Sequence, residues 1–243
     1  MVVMGTFVLA FGWFGFNPGS TLAGTDLRIS FVVVNTMLAS MTAAIAAMLV
    51  LWGKGLKPDP TMLCNGMLAG LVAITAPCAF VNPIGAAVIG VVAGVLVVYS
   101  VFFFERVGID DVVGAISVHG VNGLWGVVSV GIFATGQYGA GWNGVVRPEY
   151  VDRFGYDGVR GLLYGDASQL FAQLLDAGVV AVFGFAMAYV WFKVTDMIVA
   201  IRVSEEVEFE GLDVPEMGAL AYPDTTVVHM PIGHTPKPHE VPA

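Results

Sequence analysis

Charge is what this sequence has least of. Only 12% of its 243 residues are Asp, Glu, Lys or Arg, about half the share found in an ordinary soluble domain. Against that stands a hydrophobic share of 57%. A soluble domain of this size buries only about three quarters of the surface its unfolded chain exposes, so lipid must serve as solvent for much of the exterior. That excludes a soluble enzyme, a nucleic-acid binder and a disordered adaptor. Cysteine is nearly absent too: Cys64 and Cys78 are the two present, both in one apolar run. If that run is helical they lie roughly 21 Å apart, too far to bridge. The sequence therefore has no disulfide framework, and both read as small buried hydrophobes. It also shows no metal-ligand cluster and no nucleophile with a base, so it reads as a non-enzyme with no cofactor and no metal.

The charge that exists is unevenly placed. Of the net −9, −7 lies beyond Ser204, so an acidic tail follows a nearly neutral apolar body. Such tails stay in water and meet partners, and this one is not drawn to anionic head groups. Within the body, uncharged stretches mark candidate spans of about 20 residues each. They are residues 1–24, 29–52, two spans within 60–104 divided at Val81-Asn82-Pro83-Ile84-Gly85, one from Asp110-Asp111 to about Ala134, and one from about Asp166 to Arg202. Six transmembrane helices are expected, the last too long for the bilayer, with residues 135–165 as the longest loop. The first stretch could be a signal peptide, but it has no basic leader and its aromatics crowd the cleavage region. Lys54, Lys57, Arg106, Lys193 and Arg202 fall on the tail side and four arginines opposite, which leans towards a cytoplasmic tail.

Two segments do not belong in lipid. His119 lies about a third of the way along the fifth span, in Ser117-Val118-His119-Gly120-Val121-Asn122-Gly123. An imidazole at membrane depth lines a cavity or relays protons, or it bonds a backbone carbonyl and ties two helices together. Asn122 is expected on the same face one turn on. Asp176 is expected at the membrane interface, and Lys193 with Asp196 as a surface ion pair. The other segment is Gly12-Trp13-Phe14-Gly15-Phe16-Asn17-Pro18-Gly19-Ser20. There Pro18 ends a helix, and aromatic faces beside a hydroxyl suit a small cation. The same residues also suit an interfacial aromatic belt.

Together with Trp125-Gly126, Leu63-Cys64-Asn65-Gly66, Thr75-Ala76-Pro77-Cys78, Gly90-Val91-Val92-Ala93-Gly94 and the tail residues Arg202-Val203-Ser204-Glu205-Glu206 and Glu210-Gly211-Leu212-Asp213, these segments closely resemble the ammonium transporter family (Amt/Mep/Rh). The resemblance runs from residue 1 to about 222. It implies an all-α membrane protein: six transmembrane helices matching the second inverted repeat and the long last helix of an eleven-helix fold. Residues 1–203 would be the partial transmembrane domain and 204–243 an acidic cytoplasmic tail, disordered after about 223. It further implies a homotrimer in the cell membrane, surrounded by lipid, that takes up ammonium as a nitrogen source through one narrow pore per subunit. By resemblance Ser20 is the vestibule hydroxyl that binds substrate, Phe16 a gate phenylalanine, Trp13 a neighbour on the same wall, and His119 one of two pore histidines. Ammonium would be recruited, deprotonated and passed through the apolar pore. A PII-type signalling protein is the partner the family implies at the cytoplasmic side.

Departures are equally plain. The partner histidine, the other gate phenylalanine, the vestibule tryptophan and the family's aspartate on the fifth helix have no counterpart. A C-terminal piece of a longer protein is therefore expected, with its pore-lining face laid open. Met217-Gly218 stands where family tails carry His-Gly, which puts the coupling to a regulator in doubt. An ammonium sensor acting through the tail, or a non-transporting fragment, are the alternatives.

Overall fold

Short polar side chains followed by proline decide where two of the central helices begin. Asp59 caps helix α3 (Pro60–Thr75), its carboxylate accepting the Thr61 backbone N–H at 3.0 Å. The Thr61 hydroxyl, and then its N–H, hold that carboxyl below the usual carboxylate range. Asn82 caps α4 (Pro83–Arg106) through its Oδ1, which accepts the Gly85 N–H at 2.8 Å. Each helix has proline in its first turn, where the missing N–H would have had no partner anyway. Asn82 also donates from Nδ2 to the Tyr164 hydroxyl at 3.1 Å. Asn82→Ala should therefore destabilise the chain by about 1–2 kcal/mol. Thermal unfolding in detergent would read this as a lowered midpoint, and an unchanged midpoint would deny the cap any weight.

The computed structural model describes residues 1–136 and 158–219. The chain divides into two units, residues 1–182 and 183–243. The first unit holds α1 (Val2–Gly19), α2 (Arg28–Gly53), α3, α4, a broken element over 112–133 that ends in α5 (Asn122–Phe133), and a 3-10 turn at Leu162–Tyr164. Helix α6 (Ala167–Ile198) runs from the first unit into the second, which also contains α7 (Glu205–Glu210) and α8 (Asp213–Met217). Five of these are long and apolar enough to cross a membrane, the broken element taken as one, and α3 is a shorter apolar helix of 16 residues. The described residues are helical apart from turns and a single antiparallel bridge between Thr135 and Arg160. Most of the expected long loop (137–157) and the expected disorder beyond residue 223 lie outside the described residues.

Glycine and alanine, not large side chains, build the centre. Ala39, Ala43 and Ala47 on α2 are all fully buried. A Cβ added to Gly66 or Gly70 of α3 would stand 2.7 Å from Ala47 Cβ and 2.6 Å from Ala43 Cβ. On α4, a Cβ at Gly90 would come within 2.7 Å of Ala39 Cα, and one at Gly94 within 2.9 Å of Ala43 Cα. Two Gly-x-x-x-Gly faces thus close on one alanine ladder, the close backbone approach that small residues permit between membrane helices.

The break between α3 and α4 comes earlier than the sequence predicts. Helix α3 stops at Thr75, and Pro77, two residues on, has no N–H with which to continue the helical ladder, although Ala76 between them keeps helical backbone. The turn that follows is buried, and Asn35 of α2 makes that tolerable. Its Nδ2 donates to the carbonyls of Cys78 at 2.9 Å and Val81 at 2.8 Å. Backbone oxygens released from a helix must find such partners away from water. At the α1–α2 loop, bonds from the Arg28 side chain hold the Asp26 carboxyl below its ordinary range. Lys193 and Asp196 do not form the expected ion pair; Asp196 instead accepts the Ile201 N–H at 3.3 Å. Three and a bit residues per turn lets an i, i+3 pair meet but does not compel it, and a weak exposed attraction loses readily to a backbone donor. In the second unit Arg202 meets Glu208 by a two-point bond of 2.8 and 3.0 Å, which lowers the Glu208 carboxyl.

Candidate functional site

The fifth span is not one helix. Backbone at Val113 and Gly114 turns left-handed (φ 51° and 75°), an uncommon conformation for a β-branched residue. A π-helical turn follows at Ile116–Val121, and only then α5. The wider π-turn carries His119, and such turns inside helices frequently mark functional sites. Asp111, just before the broken start, reaches past the break. Its carboxylate accepts the Ile116 N–H at 2.6 Å, the Ser117 N–H at 3.1 Å and the Ser117 hydroxyl at 2.6 Å. Across on α4, Ser100 donates to the Ser117 hydroxyl at 2.9 Å. The turn is therefore clamped on the side away from His119.

Because the π-turn rotates the chain, Asn122 does not share the His119 face as the sequence suggested. It is fully buried and donates to the Ser117 carbonyl at 2.9 Å, while His119 is exposed. Glycines 120 and 123 accompany His119 instead. They form one wall of a cavity of about 380 Å³, whose other wall is α6 with Asp176 and Ala177. Asp176 was expected at an interface; it stands on the rim of the His119 cavity. Sequence reasoning undervalued it, although it is the sole charged residue between Asp166 and Lys193.

Trp13, Phe16 and Ser20 come together at the end of α1. The Trp13 and Phe16 rings meet edge-on with centroids 6.4 Å apart. Trp13 Nε1 donates to the Thr75 hydroxyl at 2.8 Å, which fixes the indole against α3. Phe16 is 63% exposed. The Ser20 hydroxyl donates to the Phe16 carbonyl at 2.8 Å, so its lone pairs point outward as acceptors. None of these three residues lines the His119 cavity. Helix α3 links the two groups, since Thr75 holds Trp13 while Ala73, two residues earlier, is the neighbour of Gly126 on α5. Among the described residues no group of His, Cys, Asp and Glu is placed to hold a metal ion.

A family model for the ammonium transporter family matches residues 1–222. This chain belongs to the ammonium transporter family. It is 46% identical over 222 residues to ammonium transporter Amt2 of Archaeoglobus fulgidus, covering 91% of this chain and 45% of that protein. It is 33% identical to an ammonium transporter of Bacillus subtilis, covering 91% of this chain and 51% of the other. Among solved structures, a sensor Amt protein superposes with a TM-score of 0.73 at 34% identity, over 88% of this chain and 48% of that one. Candida albicans Mep2 gives 0.71 at 31%, over 84% and 43%. The chain thus spans about half the length of the ammonium transporters it matches. Membership makes this a membrane protein of a transport family, not of an enzyme family, and accounts for the apolar helices.

Proposed function

We propose that this chain supplies one wall of an ammonium-conducting pore. Ser20 and Phe16 receive the cation at an outer vestibule beside Trp13, and His119 takes part in moving the proton as ammonia crosses the apolar stretch. The observation that carries the reading is the presentation of His119: an exposed imidazole on a clamped π-turn, facing an otherwise almost wholly apolar cavity, in a chain of the ammonium transporter family. The physics favours it. A bare ammonium ion in hydrocarbon faces a penalty on the order of tens of kcal/mol, whereas neutral ammonia crosses cheaply and potassium cannot shed a proton. An imidazole with one donor and one acceptor is suited to the exchange. The family resemblance pairs it with a second pore histidine, which has no counterpart within residues 1–222. The working unit is a homotrimer in the cell membrane with the acidic tail in the cytoplasm, where a PII-type protein docks.

The test is ammonium-driven alkalinisation of proteoliposomes. His119→Ala should reduce the flux on the order of 10²-fold, the usual weight of a positioned proton-transfer group. Wild-type flux with unchanged ion selectivity in that variant would remove His119 from the mechanism. The likeness to a sensor Amt protein supports a second reading, in which occupancy is reported through the tail. That reading expects partner binding that depends on both ammonium and residues beyond Ser204, with no flux.

A further inference from the structure

The His119 cavity contains a second group that the pore reading does not use. Asp176 lies nine residues into α6, about 14 Å from its start, roughly half the thickness of a bilayer core. No other charge occurs between Asp166 and Lys193. The next residue, Ala177, is the only buried residue of the helix, and Asp176 itself is exposed beside it. Apart from His119 and Asp176, the cavity walls are glycine, alanine, valine and leucine. No hydrogen bond or ion pair reaches the Asp176 carboxylate among the described residues, and His119 does not pair with it.

A carboxylate facing such walls is costly unless it meets a counter-charge. The two polar groups share one space of about 380 Å³ without touching, which leaves room between them for something of water size, about 30 Å³. Their chemistry specifies what it is. A carboxylate accepts hydrogen bonds and holds a positive charge, and a neutral imidazole nitrogen accepts one more. A small cation with N–H donors in several directions satisfies both, and a metal cation of the same size and charge offers no donors.

We propose that Asp176 is a cation-holding residue, and that ammonium is retained in the charged form between Asp176 and His119. This rests on the pore reading and deepens it, because it places a binding step for the ion on the inner side of the vestibule. The cargo would not be neutral at this point.

The experiment uses the whole chain in lipid vesicles. Dicyclohexylcarbodiimide attacks carboxyl groups in apolar surroundings, and peptide mass spectrometry reads the adduct at Asp176. Asp176 should react, and ammonium chloride should slow the reaction on the order of tenfold more than tetramethylammonium chloride, the scale of one hydrogen bond to a charged group. Failure to label Asp176, or equal protection by the two salts, overturns the proposal. The second arm compares charge moved per nitrogen taken up. Asp176→Asn should lower that ratio, and Asp176→Glu should restore it. If His119→Ala stops flux while Asp176→Asn leaves the ratio untouched, the pore reading stands and the cation-holding role falls. A variant lacking charge at 176 that merely misfolds would lose flux and ratio together and would be recognised by the failure of Asp176→Glu to recover either; labelling of the unaltered chain then decides.

Discussion

Asp111→Ala should be among the most damaging single substitutions in the chain. Three hydrogen bonds to one carboxylate, two of them at 2.6 Å, hold the start of the π-turn. Losing them should destabilise the fold by about 2–4 kcal/mol, given that bonds to charged groups contribute about 1.5–3 kcal/mol each and that Asp111 is only half-buried. The functional loss should be larger than the stability loss suggests. A displacement of about 1 Å at a reacting group can reduce a rate on the order of 10²-fold, and His119 sits two residues beyond Ser117. Thermal unfolding and ammonium flux measured on the same sample separate the two effects. Ser117→Ala should give a smaller version of both, because it removes the side-chain bonds to Asp111 and Ser100 and leaves the backbone ones. Wild-type flux in Asp111→Ala would mean the π-turn holds its shape without the clamp.

Gly94→Leu should leave little folded protein to recover. Even one added carbon would overlap the Ala43 carbonyl oxygen and stand 2.9 Å from the Ala43 Cα, and backbone cannot rotate aside as a side chain does. Overpacking ordinarily costs about 1–3 kcal/mol where side chains adjust; here α2 and α4 must separate, which loses the interface itself, and whole domains are stable by only about 5–15 kcal/mol. Size-exclusion chromatography in detergent should show aggregate in place of a single peak. Gly5→Ala is the matched control, since a Cβ there meets nothing within 4 Å, and it should elute as the parent does. A monodisperse Gly94→Leu protein would show that the two helices have slack.

How much of this was legible beforehand depends on the physical signal involved. Runs without charge report lipid burial directly, so α2 and α4 were visible in the sequence to within a few residues. His119 was conspicuous for the same reason: an imidazole stands out against a uniformly apolar run. The interruption of the fifth span was not readable, because hydropathy is blind to whether a backbone bond closes at i+4 or i+5. That blindness misplaced Asn122 onto the His119 face when it is fully buried. Asp176 was visible as an isolated charge, but the histidine that lines the same cavity belongs to a segment 57 residues earlier, and no local pattern joins them. The early end of α3 was signalled by Pro77, yet only Asn35, from another helix, makes the buried turn tolerable.

The broken start of the fifth span has an electrical consequence. A helix beginning with open N–H groups carries about half a positive charge at that end. Ile116 lies three residues before His119, so an uncompensated start would repel an approaching cation just where the proposed pathway needs one. The Asp111 carboxylate sits on those N–H groups and cancels the field at its source. The same clamp that fixes a shape therefore makes the local potential tolerant of positive cargo. Phosphate-binding proteins commonly aim such helix ends at the ligand; here the end is muted before a cation reaches the imidazole.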